Sequence, residues 1–180
     1  GGTGVYKTVT GGASWAASGL DIYSIYDLVV DPRNENLVFA AISDPRSIWA
    51  SNTGGQTWFR TSPEGLRAYW LDISAADPDA VYAGTNDGVY RRWAGGEWER
   101  IGLAGQSITA LAAHPQRAGV IVAGIASGAY ISLDGGATWQ LCAPELNGIE
   151  ALTLTFDPKD PRYLYAGTRT HGTLRMFLTQ

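Results

Sequence analysis

The sequence predicts an all-β fold made of four repeats, on the basis of its composition and of two periodic signals. The 180 residues include 23 glycines, 9 tyrosines and 7 tryptophans but one methionine. Aromatic side chains suit strands and glycine suits tight turns, so this composition favours strands joined by short turns. Four tryptophans recur at intervals of 43, 40 and 41 residues. They are Trp15, Trp58, Trp98 and Trp139. A fixed spacing of this length indicates a repeat architecture in one domain.

Two further markers recur in the same phase as the tryptophans. One is a short apolar segment rich in alanine and glycine, and the other is a turn dipeptide that ends in proline. The first marker occurs at 39–41, 82–85, 122–125 and 165–168, and the second at 31–32, 77–78, 114–115 and 157–158. A period near 42 residues without helical periodicity is typical of a β-propeller blade of four antiparallel strands. We therefore predict one propeller domain over 1–180, with repeat units at about 4–46, 47–87, 88–127 and 128–171 and a closing strand at 172–178.

The four strands of one blade can be placed along the sequence from residue 70 onward. A first strand is expected at 70–74, a second at 80–83, a third at 89–93 and a fourth from Trp98. The first residues of the chain match a third strand, and so does the segment 172–178. Three arrangements remain open. The segment from Trp15 to Leu20 closes a four-bladed ring, or two chains, each an open half-propeller, share a larger ring, or the sequence is part of a longer parent.

Charge and composition exclude several functional classes. With 13 basic and 17 acidic residues the formal charge is −4, and there is no cluster of basic residues. Since nucleic-acid affinity depends on many cations, we expect no nucleic-acid partner.

No apolar run approaches a membrane span, and Gly1 to Gly4 lack the features of a signal peptide. Cys142 is the one cysteine, and His114 and His171 lie 57 residues apart, so we expect no disulfide, metal or cofactor.

One turn has the pattern S-x-D-G-G-x-T-W, over Ser132, Asp134, Gly136, Thr138 and Trp139. This pattern resembles the Asp-box of the BNR repeat family. The turns before Trp15 and Trp58 carry threonine in place of the aspartate, and the turn before Trp98 is one residue shorter. An aspartate that accepts turn N–H groups, glycines with positive φ and a packed tryptophan together form a folding motif. The resemblance covers nearly the whole chain and implies a β-propeller; it also favours an extracellular or periplasmic location.

The resemblance implies several activities, because such repeats occur in sialidases, xyloglucan-cleaving glycosidases, sortilin-type receptors and photosystem assembly factors. A sialidase is expected to carry an Arg-Ile-Pro segment, and this sequence has none. A glycoside hydrolase needs two carboxylates that face each other across the bond. The weak candidates are Asp27 and Asp72, which the repeats place at matching positions of two first strands, Glu150 nearby, and Asp87, where xyloglucan-cleaving relatives place a catalytic aspartate. A structural role for these aspartates is favoured, since they commonly accept turn N–H groups.

Aromatic and polar residues at the entry to the first strands favour recognition instead of catalysis. Rings of this kind beside an arginine suit sugars or peptides. The candidate ligand-binding residues are Tyr23, Tyr26, Asp27, Arg67, Tyr69 and Asp72. The leading hypothesis is a non-enzymatic binding or scaffolding propeller with a protein or carbohydrate ligand. A glycoside hydrolase or a degenerate relative, and a half-propeller that forms a homo-oligomeric ring, are the alternatives.

Overall fold

The computed structural model describes residues 4–21, 23–43 and 45–178, and nearly all regular structure in them is β. In these described residues seventeen strands form five antiparallel sheets, and one 3₁₀ turn spans Pro144–Leu146. In chain order the strands are β1 Tyr6–Lys7, β2 Ala16–Ala17, β3 Ile25–Asp31, β4 Asn34–Ile42, β5 Ser47–Ser51, β6 Phe59–Arg60, β7 Ala68–Ser74, β8 Asp77–Thr85, β9 Gly88–Trp93, β10 Trp98–Gly102, β11 Ala110–Ala113, β12 Ile121–Ile125, β13 Gly128–Ser132, β14 Gln140–Leu141, β15 Ala151–Phe156, β16 Tyr163–Thr168 and β17 Thr173–Phe177.

The sheets follow one another along the chain as blades. Strands β3 to β6, β7 to β10 and β11 to β14 each form a four-stranded sheet in sequential order. A two-stranded sheet, β1 and β2, precedes them, and a three-stranded sheet, β15 to β17, follows. The prediction of an all-β propeller with four antiparallel strands per repeat is confirmed. The turn of the second repeat differs from the prediction, because it lies at Ala75 and Ala76 and the dipeptide Asp77-Pro78 already belongs to β8.

The hydrophobic core is divided into layers between successive sheets. One layer joins the first and second four-stranded sheets, another joins the second and third, and another joins the third to the three-stranded sheet. In the three complete blades the second strand ends in a run of buried residues, and all five residues of β12 are buried. Their small residues allow neighbouring blades to approach: a Cβ at Gly84 would lie 2.7 Å from the Cγ2 atom of Ile108. This close packing explains the alanine and glycine marker.

Of the arrangements that the sequence leaves open, closure of a four-bladed ring does not occur within the described residues, because the sheets do not close. Strand β2 pairs with β1, and within the described residues no strand pairs with the outer edge of β17. The indole Nε1 of Trp58 donates to the Ser18 carbonyl at 2.7 Å, which ties the segment after β2 to the first four-stranded sheet. The segment from Trp15 to Leu20 therefore packs beside the first full blade, and the first strands contact one another in the order β3, β7, β11 and β15.

His114 replaces the aspartate of a turn that follows a first strand. In the first and last repeats, Asp31 and Asp157 each accept the N–H of the second following residue at 2.8 Å. The Nδ1 atom of His114 accepts the Gln116 N–H in the same way at 3.1 Å. The ring is buried and lies 4.7 Å from the ring of Phe156. Burial, and secondarily the charge of Arg117, lowers the pKa of His114, so the neutral ring is the form that fits the fold.

Replacing this histidine should reduce the acid sensitivity of the protein. A lowered folded-state pKa means that the unfolded chain binds the proton more tightly, so the stability contributed by neutral His114 is present above about pH 6.5 and is lost as the pH falls below it. We expect His114→Asn to lose less unfolding free energy between pH 7.5 and 5.5 than the native chain does in urea titrations. His171→Asn, at an exposed histidine, is the control. Equal losses in the native chain and His114→Asn would contradict this assignment.

Candidate functional site

Two tyrosines lie at equivalent β-bulges of adjacent first strands. The register of β3 shifts between Ile25 and Asp27, and that of β7 shifts between Ala68 and Trp70, so Tyr26 and Tyr69 are the bulged residues. Their ring centroids are 5.2 Å apart in an edge-to-face arrangement. Bulges redirect side chains away from the regular alternation of a strand. The two tyrosines thus form an aromatic pair where the first strands begin.

An arginine extends this aromatic pair. The Nη1 atom of Arg67 donates to the Tyr69 hydroxyl at 3.3 Å, and the ring of Tyr26 is 50% exposed. We call Tyr26, Arg67 and Tyr69 the mouth cluster. Tyr23 lies elsewhere: its ring packs 5.9 Å from that of Trp49, beside a core cluster that includes Leu20. The structure therefore brings three of the four predicted recognition residues with aromatic or guanidinium groups together, and places Tyr23 in packing.

The two first-strand aspartates bind backbone groups with both carboxylate oxygens. Asp27 accepts the N–H of Leu28 at 2.8 Å and that of Leu71, on the next blade, at 2.7 Å. Asp72 accepts the N–H of Ile73 at 2.8 Å and that of Ala113, again on the next blade, at 2.8 Å. Each carboxylate thus joins two neighbouring blades at their first strands.

Asp27 and Asp72 do not occupy matching positions, contrary to the sequence analysis. Asp27 pairs with Ala41, whereas the residue that pairs with the equivalent Gly84 is Trp70. Asp72 is therefore two residues further along its strand. Because side chains alternate with a period of two, both aspartates still lie on the same face of their strands. Aligning the tyrosines at the bulges, not the aspartates, would have given the correct register.

Burial raises the pKa of both aspartates. Desolvation is the largest cause in each, and the bonds from backbone N–H groups act in the opposite direction. The charge of Asp27 also raises the pKa of Asp72, as the smallest of the causes. A raised pKa is useful in a general acid. Here, however, the oxygens that would exchange a proton with a substrate accept backbone hydrogen bonds.

The other two candidate carboxylates are held by arginines. Asp87 accepts from Arg100 at 2.5 Å with one oxygen and from the Gly105 N–H at 2.9 Å with the other. Glu150 forms an ion pair with Arg169, which lowers the pKa of that carboxyl. Asp87, Glu150 and Arg169 lie in loops at the ends of strands, whereas Arg100 lies within β10. Among the described residues, the hydrogen bonds of Asp87 and Glu150 do not direct either carboxylate toward Asp27 or Asp72.

The turn from Ser132 to Trp139 forms a closed hydrogen-bond network. The hydroxyl of Ser132 accepts the Gly136 N–H at 2.8 Å, and Asp134 accepts both the N–H and the hydroxyl of Thr138, at 2.9 and 2.6 Å. These bonds lower the pKa of Asp134 to about 2. The indole of Trp139 then donates to the Ile101 carbonyl on the preceding blade at 3.1 Å. The network therefore stabilises the turn and its contact with the preceding blade.

Threonine performs the aspartate's role in the two related turns. The Thr53 hydroxyl accepts the N–H of Thr57 at 2.9 Å, and the Thr10 hydroxyl accepts that of Ser14 at 2.9 Å. One acceptor oxygen is sufficient to hold the turn, which explains why the pattern tolerates this exchange. The role of these residues is local and structural in both copies.

A cavity beside the mouth cluster was not identified from the sequence. It has a volume of about 380 Å³ and is lined by Arg46, Arg67, Gly65 and Glu64 among others. Glu64 pairs with Arg60 at 3.4 Å. Two guanidinium groups therefore line one cavity between the β4–β5 loop and the β6–β7 loop, a setting that favours an anionic group. Loops that are distant in sequence form this cavity, so no local motif indicates it.

The residues that the structure describes contain neither a candidate metal site nor a helix that could span a membrane. Among them no group of three or more His, Cys, Asp or Glu side chains could hold a metal ion. Within the same residues, no helix has the length and apolar character needed to cross a membrane.

Comparisons with solved structures show the fold. A GH74 enzyme from Niastella koreensis matches 97% of this chain with a TM-score of 0.80 at 19% identity, and the GH74 xyloglucanase from Xanthomonas campestris matches 93% with a TM-score of 0.76 at 16% identity. YCF48 bound to D1 peptide matches 97% with a TM-score of 0.70 at 18% identity. These neighbours are β-propellers, and both enzymes and a peptide-bound protein occur among them. No protein-family model and no curated protein sequence matches the chain.

The chain spans only part of each structural neighbour. It covers 33% and 31% of the two GH74 enzymes and 58% of YCF48. The likeness therefore concerns an arc of blades and establishes the fold alone.

Proposed function

We propose that the chain is a non-enzymatic binding β-propeller of the BNR/Asp-box type that recognises an acidic segment of a partner through the mouth cluster. The observation that carries the proposal is a difference between two sets of polar residues, the candidate carboxylates and the mouth cluster. The candidate carboxylates are occupied by backbone N–H groups or arginines. The mouth cluster, in contrast, presents a half-exposed tyrosine and lies beside a cavity with two guanidinium groups.

The chemistry of this cluster defines the kind of ligand. A guanidinium group binds a carboxylate with two parallel hydrogen bonds, and an adjacent tyrosine ring offers an apolar face with a polar edge. The structure of YCF48 with a D1 peptide supports a peptide segment as the partner, since that protein shares the fold. A uronic-acid sugar has the same acidic group and is the alternative ligand.

Loss of Arg67 should weaken this binding. We expect Arg67→Ala to raise the dissociation constant of an acidic peptide at least tenfold, which corresponds to about 1.4 kcal/mol for one charge-assisted contact. The measurement is fluorescence anisotropy with a labelled hexaglutamate peptide, with tetragalacturonate as competitor at low salt. Arg117→Ala, which makes the same charge change in the turn after His114, is the control.

Three outcomes are informative. Weakening by Arg67→Ala but not by Arg117→Ala supports the mouth cluster. Equal weakening by both variants would show nonspecific attraction of anions and would contradict the proposal. Preferential competition by tetragalacturonate over an unlabelled peptide would assign the site to a glycan.

A hydrolytic activity receives no comparable support. Catalysis by paired carboxylates requires one group that can give up a proton and one that can accept a proton or attack, on opposite sides of a substrate bond. In this chain each of Asp27 and Asp72 connects two blades. The neighbouring GH74 enzymes share the fold at 19% identity or less in the two cases compared, so their activity is not carried over.

A further inference from the structure

The loop between β6 and β7 holds Glu64 against the cavity that contains the two guanidinium groups. Before Glu64, the Ser62 hydroxyl accepts the Ile48 N–H at 2.8 Å. After it, the Gly65 N–H donates to the Arg46 carbonyl at 2.9 Å. Gly65 has a φ of +91°, a conformation that glycine adopts without strain. The backbone is therefore held on both sides of Glu64, and rotation of the side chain sets the position of its carboxylate.

Glu64 is the one acidic side chain among the described residues that line this cavity. Its Oε2 atom accepts from the Nη1 atom of Arg60 at 3.4 Å, and both side chains are exposed. This contact is long in comparison with the 2.5 Å between Arg100 and Asp87. Exposed ion pairs contribute about 1 kcal/mol or less. The carboxylate of Glu64 can therefore leave Arg60 at little cost.

The cavity offers Glu64 a second cationic environment. Arg46 and Arg67 line it, whereas Arg60 lies in β6 and is not among the lining residues. A carboxylate binds a guanidinium group with two parallel hydrogen bonds. A Glu64 side chain turned into the cavity would supply the same group that an acidic ligand presents, and its charge would repel that ligand. The pairing with Arg60 thus draws a competing anion away from the cavity.

We propose that Glu64 is an internal competitor of the acidic ligand, and that Arg60 sets the affinity of the cavity by holding Glu64 outside it. The inference rests on the binding function proposed for the mouth cluster and names two residues that determine its affinity. Neither residue has to touch the ligand. Glu64 acts by competition and charge, and Arg60 acts through Glu64.

A double-mutant cycle tests the inference, with the labelled hexaglutamate peptide at low salt and fluorescence anisotropy as the measurement. Glu64→Gln should lower the dissociation constant about threefold, since the competing charge is gone. Arg60→Gln should raise it about threefold in the native chain, because Glu64 is released. In the Glu64→Gln background, Arg60→Gln should leave the dissociation constant nearly unchanged, because no competitor is left to release.

Glu97→Gln is the matched control, because it makes the same charge change at an exposed glutamate. Glu97 lies in the turn between β9 and β10, at the other end of the strands from the cavity. This control should leave peptide binding nearly unchanged. All the substituted side chains are exposed, so circular dichroism should show the native strand signal in every variant.

The outcomes separate this inference from the proposed function. Additive effects in the cycle would show that Arg60 attracts the peptide directly, and would overturn the inference. Equal tightening by Glu64→Gln and Glu97→Gln would overturn it as well. In both cases the proposed function stands if Arg67→Ala still weakens binding. Binding by Glu64→Gln and not by the native chain would support the competitor, whereas no binding by either would overturn both proposals.

Discussion

Trp139→Ala is expected to lower the unfolding free energy by about 3 kcal/mol, because removing a large packed aromatic side chain leaves a cavity. The indole contacts the preceding blade closely: a Cβ added at Gly102 would lie 2.0 Å from its Nε1 atom. It also donates to two carbonyls, those of Ile101 and Gly136, at 3.1 Å each. Loss of the side chain therefore removes both packing and hydrogen bonds between two blades. Urea titration monitored by circular dichroism measures the effect.

A double-mutant cycle with Gly102→Ala separates the contact from a general loss of packing. Gly102→Ala alone should destabilise the chain, because the new Cβ overlaps the indole ring. Combined with Trp139→Ala, the same glycine change should cost much less, since the ring is gone. Trp93→Ala, at an exposed tryptophan, is the matched control and should change stability by about 0.5 kcal/mol or less. Additive effects in the cycle would contradict the contact between the blades.

Asp72→Ala is expected to cost about 2 to 3 kcal/mol, because it leaves two backbone N–H groups without their acceptor. These groups belong to Ile73 and Ala113, so the loss affects one blade and its junction with the next. Asp72→Asn should cost less, since the amide oxygen still accepts one of the two bonds. Thermal and urea denaturation at pH 7 measure both variants.

Asp79→Ala is the control for this prediction. Asp79 is exposed and pairs with Arg33 at 2.7 Å, and surface ion pairs contribute about 1 kcal/mol or less. A carboxylate removed from the surface should therefore leave stability nearly unchanged. Equal stability of Asp72→Ala and Asp79→Ala would show that the first-strand carboxylate does not join the blades.

The blade architecture could be predicted from the sequence because its signals are local and repeated. The tryptophan spacing and the alanine and glycine segments identify the second and fourth strands of every complete blade. Whether the blades close into a ring could not be predicted. Closure depends on the angle between each blade and the next, and no local sequence pattern indicates that angle. The contact of Trp58 with Ser18, which holds β2 against the first full blade, is made across 40 residues.

The candidate site was predictable only in part, for a similar reason. Tyr26, Arg67 and Tyr69 were identified from their place before or within the first strands, and the structure groups them. The cavity at Arg46 arises from two loops whose proximity no sequence pattern indicates. The sequence does not reveal the two-residue offset between Asp27 and Asp72. The repeats align the two aspartates by residue type, whereas the offset is visible only from the residues that each strand pairs with.

We propose that the chain binds a ligand and does not hydrolyse one, and that its half-buried first-strand carboxylates join neighbouring blades. Isothermal calorimetry with soluble β-glucans and with polygalacturonate tests it most directly, because binding gives heat that saturates whereas turnover gives sustained thermal power. We expect no sustained power with any of these polysaccharides, from the native chain or from the folded variant Asp72→Asn. Sustained power from the native chain that Asp72→Asn abolishes, with folding intact, would contradict the account.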